Sequence, residues 1–220
     1  MPKNVYSLVL LDSVVDAVDR LAGEQSTSRS GLINQILAEY LSCPTPERRN
    51  RDIFSCMEKL LNGLDSFLFQ EQPSDSMVTI RSVLHYRYRP TARYVLELYR
   101  EPGTYLGELR VSFRTQNRSL LELSEEFFQF WEALESGSIS PLFPEGAVPA
   151  SSGPGRYTRR MLCPDDESCP ACEDVAQAVM DYIRSFDSAM RKYFDGEGGA
   201  NPEPEIEADY QKQLKHRVPL

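Results

Sequence analysis

Residues 4–21, NVYSLVLLDSVVDAVDRL, decide how the start of the chain folds. The segment 5–10 is β-branched, aromatic or aliphatic around a single serine, which predicts a short strand. From residue 12 onward the apolar side chains recur at helical spacing, so a helix follows without a hairpin turn. A lone strand leaves its backbone donors and acceptors unpaired. We therefore expect the strand to pair with a strand outside this segment.

A second amphipathic helix follows in STSRSGLINQILAEYLS, residues 26–42. Ser28 stands at the position of an N-cap, and a wide apolar face comes after it. One strand and two helices in about forty residues bury too little apolar surface to be stable alone. Two copies with antiparallel strands would remove both problems. The sequence therefore predicts a homodimer formed through the N-terminal strand.

The strand VYSLVL, the helix DSVVDAVDRLAGE and the stretch STSRSGLINQILAEYL together resemble the ribbon-helix-helix family, the dimeric β-ribbon DNA binders of Arc and methionine-repressor type. The resemblance covers residues 4–41. It implies that the paired ribbon enters the major groove and that the start of the second helix holds a DNA phosphate. The DNA-binding residues it implies are Lys3, Asn4, Val5, Ser7, Val9, Ser28, Arg29 and Ser30.

The rest of the chain predicts an α+β fold, in which an α-β-β-β-α antiparallel-sheet domain and a C-terminal helix follow the ribbon-helix-helix dimerisation module. The central domain consists of a helix over 52–69, a three-stranded meander and the helix in SLLELSEEFFQFWEAL. The predicted segments are the module 1–43, the α+β domain 44–136, a flexible linker 137–160, a cysteine-containing loop with an amphipathic helix 161–196, and a disordered acidic tail 197–220.

One face of the predicted meander is basic. Residues 76–118 hold eight arginines and three glutamates, whereas the chain as a whole has a net charge of -9. The alternating pattern places six basic residues on one face, as expected for a surface that binds a nucleic-acid backbone or another acidic ligand. These are Arg81, His85, Arg87, Arg93, Arg110 and Arg114. Glu97 and Glu108 share the face, so cross-strand ion pairs on a solvated sheet are the alternative.

Three cysteines near residue 170 leave several interpretations open. Cys163, Cys169 and Cys172 have C-x5-C-x2-C spacing, and a zinc ion there would need a fourth ligand such as His85, Cys56 or His216. The C-P-A-C sequence at a helix start also suits a redox-active thiol. Plain thiols at the start of a helix are the third interpretation.

Neither a membrane-spanning run nor a signal peptide is recognisable, so we expect a cytoplasmic protein without a membrane partner. The chain has two histidines and none of the common nucleotide-binding, hydrolase or metalloprotease motifs, so we expect no enzyme. No cofactor is expected apart from the zinc of the cysteine interpretation.

The sequence as a whole favours a dimeric, sequence-specific DNA-binding transcriptional regulator. Its double-stranded DNA partner would be an inverted repeat near a promoter, where the dimer represses by blocking polymerase. The C-terminal region would sense a signal, contact a protein partner or support assembly. Two alternatives stay open: an interaction adaptor that uses the N-terminal module only to dimerise, and an accessory DNA-binding factor of a mobile element, for partition or transfer.

Overall fold

A computed structural model gives the fold. It describes residues 6–41, 45–62, 66–71, 74–84, 90–100, 103–145, 147–163, 171–196 and 201–214. The chain divides into two compact units, Met1–Arg49 and Asn50–Leu220. Within the described residues, no helix is both long and apolar enough to cross a membrane.

The first unit contains two helices, α1 (Asp12–Glu24) and α2 (Arg29–Tyr40). Ser28 caps α2, and its hydroxyl accepts a hydrogen bond from the Gly31 backbone N–H at 3.1 Å. The small core between the helices consists of Val18, Ala22, Leu32 and the partly buried Ile33. Helix α3 (Pro46–Leu61) follows and buries Ile53, Met57 and Leu61 in the second unit.

The predicted N-terminal strand is wrong, and the ribbon-helix-helix fold predicted from it is therefore not seen. Residues 6–11 form no strand, and the first secondary structure elements of the described chain are α1, α2 and α3. A strand exists only where a second strand satisfies its backbone groups, and the elements of the first unit are helices. The α+β class itself is correct.

The second unit is built on one antiparallel sheet of six strands, in the order β1-β2-β3-β4-β6-β5. The strands are β1 (Phe67–Glu71), β2 (Met77–Val83), β3 (Thr91–Leu98), β4 (Tyr105–Phe113), β5 (Ala150–Gly153) and β6 (Arg156–Leu162). Every neighbouring pair is antiparallel, so side chains alternate between two faces along each strand.

Helices cover one face of the sheet. These are α3, α4 (Arg118–Ile139) and α5 (Cys172–Asp195), and α6 (Glu203–Leu214) packs against them. A short 3-10 helix, Ser140–Leu142, ends α4. A single core of buried apolar side chains joins these helices to the inward residues of the strands. Phe127, Trp131 and Phe186 lie at its centre, with the ring centroids of the last two 5.2 Å apart.

Four expectations for this unit need correction. The helix predicted over 52–69 begins at Pro46 and ends at Leu61, and β1 follows it. The predicted meander of three strands is the centre of a six-stranded sheet. Residues 137–160, expected to be a flexible linker, contain the end of α4, the 3-10 helix, β5 and most of β6. Helix α6 lies within the tail that was expected to be disordered.

Strand β4 contains an irregularity beside its glycine. The register with β6 shifts between Tyr105 and Gly107. A Cβ atom on Gly107 would lie 2.2 Å from the backbone oxygen of Glu97 on β3, a distance that no side chain tolerates. Glycine is therefore required at this position of β4, where the β3 backbone leaves no room for a side chain.

Candidate nucleic-acid interface

The face of the sheet opposite helices α3, α4 and α5 carries a row of arginines. In the register of the strands, Arg81 on β2 pairs with Arg93 on β3, Arg93 pairs with Ser112 on β4, and Ser112 pairs with Arg156 on β6. Adjacent strands lie about 4.8 Å apart, so this row spans about 14 Å. We call Arg81, Arg93 and Arg156, with Ser112 among them, the arginine row.

All three arginines of the row are exposed. Arg81 lies between the buried residues Ile80 and Ser82, and Arg93 lies between the buried residues Ala92 and Tyr94. This alternation fixes both guanidinium groups on the solvent side. In the part of the chain that the structure describes, no ion pair involves an arginine of the row. The row is therefore an uncompensated strip of positive charge.

Further along the same face the charges balance. Glu97 pairs with Glu108, and Glu108 pairs with Arg160, in the register of the strands. Arg110 forms ion pairs with both glutamates, and its Nε lies 3.5 Å from Glu108 Oε1. The Arg160 guanidinium lies over the Tyr105 ring, 5.4 Å from its centroid. We call these four residues of the face the paired edge. Their two glutamates and two arginines sum to no net charge.

Buried polar contacts hold β6 in place beneath the row. Tyr157 and Arg159 alternate with the outward Arg156 and Arg160, and both inward side chains reach Glu135 of α4. Arg159 Nε lies 2.9 Å from Glu135 Oε1, and both side chains are almost fully buried. The Tyr182 hydroxyl donates to Glu135 Oε2 at 3.1 Å. These bonds fix the strand that presents Arg156.

A second network fixes the end of β2 next to Arg81. The Tyr94 hydroxyl donates to Asp187 Oδ1 at 2.9 Å, and Arg191 Nε donates to the other oxygen of Asp187 at 2.6 Å. Arg191 Nη2 also donates to Ser82 Oγ at 2.7 Å and to the Val83 backbone oxygen at 2.9 Å. Helix α5 thus holds the two strands on which Arg81 and Arg93 lie.

Burial changes the protonation behaviour of both networks. It raises the pKa of Tyr94, Tyr157 and Tyr182 well above 10, and nearby carboxylates raise it further. Burial on its own would lower the pKa of Arg159, but the Glu135 carboxylate together with the Tyr182 and Tyr157 side chains raises it, and the net shift is upward. The tyrosines therefore stay neutral and Arg159 stays charged at physiological pH. These buried groups position the sheet.

The six residues predicted for the basic face fall into three groups. Arg81 and Arg93 are brought together in the arginine row, and Arg114 lies exposed just beyond the end of β4. Arg110 is neutralised at the paired edge, as the ion-pair alternative predicted. His85 and Arg87 lie outside the described residues.

Sequence reasoning missed the contribution of β6. Arg156 and Arg160 stood in or beside a segment that was expected to be a linker. The alternation in RYTRRML, with an aromatic and a methionine between basic residues, was the available strand signal. The glycines and prolines that precede it obscured this signal.

The described N-terminal residues that were predicted to bind DNA lie on two segments, with Ser7 and Val9 before α1 and Ser28, Arg29 and Ser30 at the start of α2. Ser7 and Val9 are exposed on the extended segment, and Ser30 is exposed on α2. Arg29 forms a two-point ion pair with Asp19 of α1, which lowers the pKa of that carboxyl. The Arg29 guanidinium, which was expected to bind a DNA phosphate, is therefore bound to Asp19. Lys3, Asn4 and Val5 lie outside the described residues.

The cysteines are not assembled into a metal site within the described residues. Cys163 follows β6, Cys172 begins α5, and both side chains are half-buried. Among these residues no group of three or more His, Cys, Asp or Glu side chains could hold a metal ion. Cys169 and His216 lie outside the described ranges, so the zinc interpretation keeps its status as a prediction.

The chain matches no protein-family model, no curated protein and no solved structure. Its class therefore follows from its own geometry. It is an α+β protein whose six-stranded sheet is packed against helices on one face and carries, on the other, an arginine row without ion-pair partners among the described residues.

Proposed function

We propose that the protein is a cytoplasmic, dimeric DNA-binding regulator of transcription that contacts duplex DNA with the arginine-bearing face of its sheet and is not an enzyme. The observation that carries this proposal is the arginine row, in which three exposed guanidinium groups without ion-pair partners among the described residues lie on the sheet face opposite α3, α4 and α5. Phosphate neutralisation by such groups supplies most of the affinity of a protein for DNA.

The net charge of -9 does not oppose this proposal. Acidic residues are concentrated in residues 119–220, which form most of the helical layer and the tail. Exposed charges more than about 8 Å apart are largely screened at physiological salt. A phosphate at the arginine row therefore interacts mainly with the row and only weakly with the remote acidic side chains.

Binding of the full chain to a duplex of random sequence tests the DNA-binding part of the proposal. Fluorescence anisotropy at several salt concentrations should show binding whose affinity falls as salt rises. A matched single-residue comparison uses Arg93→Gln, which removes a charge of the row, and Arg118→Gln, which removes an exposed charge of α4. Weaker binding is expected only for the first. Failure of the wild-type protein to bind any duplex would contradict the proposal.

The dimer is supported by the apolar surface of the first unit. Eleven of its large apolar side chains are exposed, namely Tyr6, Leu8, Val9, Leu10, Leu11, Val14, Leu21, Ile36, Leu37, Tyr40 and Leu41. They present roughly 1,000 Å² of surface, which is comparable with the ~800 Å² that each partner buries in a stable interface. Residues 1–51 carry no net charge, so two copies do not repel each other. A second copy is therefore the occupant we propose.

Analytical ultracentrifugation of two α2 variants tests this dimer. Ile36→Glu places a charge on the exposed apolar stripe and should produce a monomer. Asn34→Glu adds the same charge at an exposed polar position of the same helix and should leave the dimer intact. A wild-type protein that is monomeric at micromolar concentration would contradict the dimer, although the DNA-binding test would stand by itself.

The same apolar surface favours the alternative function, an interaction adaptor that binds another protein. A dimeric wild-type protein that binds no duplex DNA at any salt concentration would favour that adaptor. The role of an accessory factor for a mobile element stays a prediction of the sequence.

A further inference from the structure

The arginine row also indicates how the DNA is bound. Building on the proposed function, we infer that the sheet contacts only the phosphate backbone of duplex DNA and does not read the base sequence. The contacts come from Arg81, Arg93 and Arg156, with the Ser112 hydroxyl as a neutral hydrogen-bond donor between them. Any sequence preference of the whole protein must then come from another part of the chain.

The width of the sheet is the first reason. Six strands at a spacing of about 4.8 Å make a surface about 24 Å wide. The major groove is about 12 Å wide and admits a helix or a two-stranded ribbon. The arginine row runs across four strands, from β2 to β6, and lies inside the borders of the sheet. It therefore meets the outer rim of the duplex, where the phosphates are, and stays out of reach of the base edges.

The composition of the row is the second reason. The residues that continue it to the two borders of the sheet are Leu68 on β1 and Gly153 on β5. Aromatic side chains are absent from the row, from Leu68 across to Gly153. Proteins that bind single strands stack bases on aromatic side chains. Guanidinium groups next to a serine suit phosphate oxygens instead, because both donate hydrogen bonds to them.

The paired edge marks one limit of the contact surface. Arg110 is already occupied by Glu97 and Glu108, and the two carboxylates would repel a phosphate. A backbone that follows the row stays about 7 Å from the Arg110 position, since residues two apart along a strand are separated by twice the ~3.4 Å rise. The backbone therefore runs across the strands along the row.

The experiment measures the affinity of the full-length protein for three 20-nucleotide probes: two duplexes of unrelated sequence and one single strand. The row variant is Arg81→Gln/Arg93→Gln/Arg156→Gln. Its control, Arg51→Gln/Lys59→Gln/Arg118→Gln, removes the same charge from exposed positions of helices α3 and α4. Circular dichroism and melting temperature confirm that both variants fold, as expected for exposed side chains.

We expect the wild type to bind both duplexes within about twofold of each other and the single strand more weakly. The row variant should lose at least about tenfold in affinity for both duplexes, and the control should lose at most about twofold. Three outcomes would each overturn this inference and leave DNA binding intact. The row variant could bind with wild-type affinity, the wild type could show a strong preference for one duplex that disappears in the row variant, or the wild type could bind the single strand more tightly. Absence of binding to any probe would overturn the proposed function as well.

Discussion

Alkaline pH should destabilise this protein more steeply than its composition suggests, because at least three of its eleven tyrosines are buried and have a strongly raised pKa. Tyr94, Tyr157 and Tyr182 have pKa values well above 10 in the folded state, mainly because burial disfavours tyrosinate. In the unfolded chain each ionises near pH 10. Above that pH the unfolded state binds fewer protons than the folded state, so the free energy of unfolding falls as pH rises.

The size of the effect follows from the number of buried tyrosines. One pH unit above the unfolded pKa, each group that stays protonated in the folded state removes about 1.4 kcal/mol of stability. Three such groups remove about 4 kcal/mol at pH 11, compared with a typical total of about 5–15 kcal/mol. The loss should be absent at pH 8, where neither state releases these protons.

Urea unfolding at pH 8, 10 and 11, followed by circular dichroism, measures this loss. Lysines also titrate in this range, so Tyr94→Phe serves as the matched control. The variant is less stable at every pH because the hydrogen bond to Asp187 is gone. Its further loss between pH 8 and pH 11 should be smaller than that of the wild type by about 1.4 kcal/mol. Equal losses in the two proteins, or absorbance at 295 nm showing all tyrosines ionised near pH 10 before unfolding, would refute the reasoning.

Two substitutions test how the sheet is held. Arg159→Met leaves the buried Glu135 carboxylate without its cation and should lower the free energy of unfolding by about 3–5 kcal/mol, as measured with urea. The double variant Glu135→Gln/Arg159→Met should lose less, because no unpaired charge stays buried. Equal losses in the two variants would argue against a coupled pair. Gly107→Ala forces a Cβ against the Glu97 backbone oxygen and should lower stability by about 1–3 kcal/mol, whereas Gly103→Ala, where the Cβ meets nothing within 4 Å, should melt near the wild-type temperature.

Periodicity in the sequence located the elements that have long, regular apolar patterns. Helix α1 coincides with the predicted helix DSVVDAVDRLAGE, and α2 and α5 lie inside the segments in which amphipathic helices were predicted. The periodicity of apolar residues did not predict the short strands at the border of the sheet. The sequence FLFQE of β1 continues the apolar spacing of α3, and a five-residue strand cannot be separated from a helix end by period alone.

The first unit shows a different limit of such reasoning. The apolar residues 5–10 have the composition of a strand, but a strand also requires a partner, and composition does not supply one. The strand that suggested a partner is absent from the described residues, but many apolar side chains of the first unit are exposed. The proposed dimer therefore rests on the exposed apolar surface of the first unit and no longer on pairing of two N-terminal strands.

Half of the candidate site was predictable from the sequence. The alternation in β2 and β3 placed Arg81 and Arg93 on one face, because period 2 is a local property. That Arg156 joins them depends on β6 pairing with β4, a contact between residues more than forty positions apart. Local patterns carry no information about such a pairing. For the same reason the sequence could not tell Arg110, which is neutralised, from its unpaired neighbours.

The salt dependence of duplex binding tests the central claim most directly. The slope of log Kobs against log salt counts the phosphates that a protein neutralises, at about 0.9 per phosphate for duplex DNA. If the arginine row holds three phosphates, the slope of the Arg81→Gln/Arg93→Gln/Arg156→Gln variant should be shallower than that of the wild type by about 2.7. Identical slopes for the two proteins would show that the row takes no part in binding and would contradict the account.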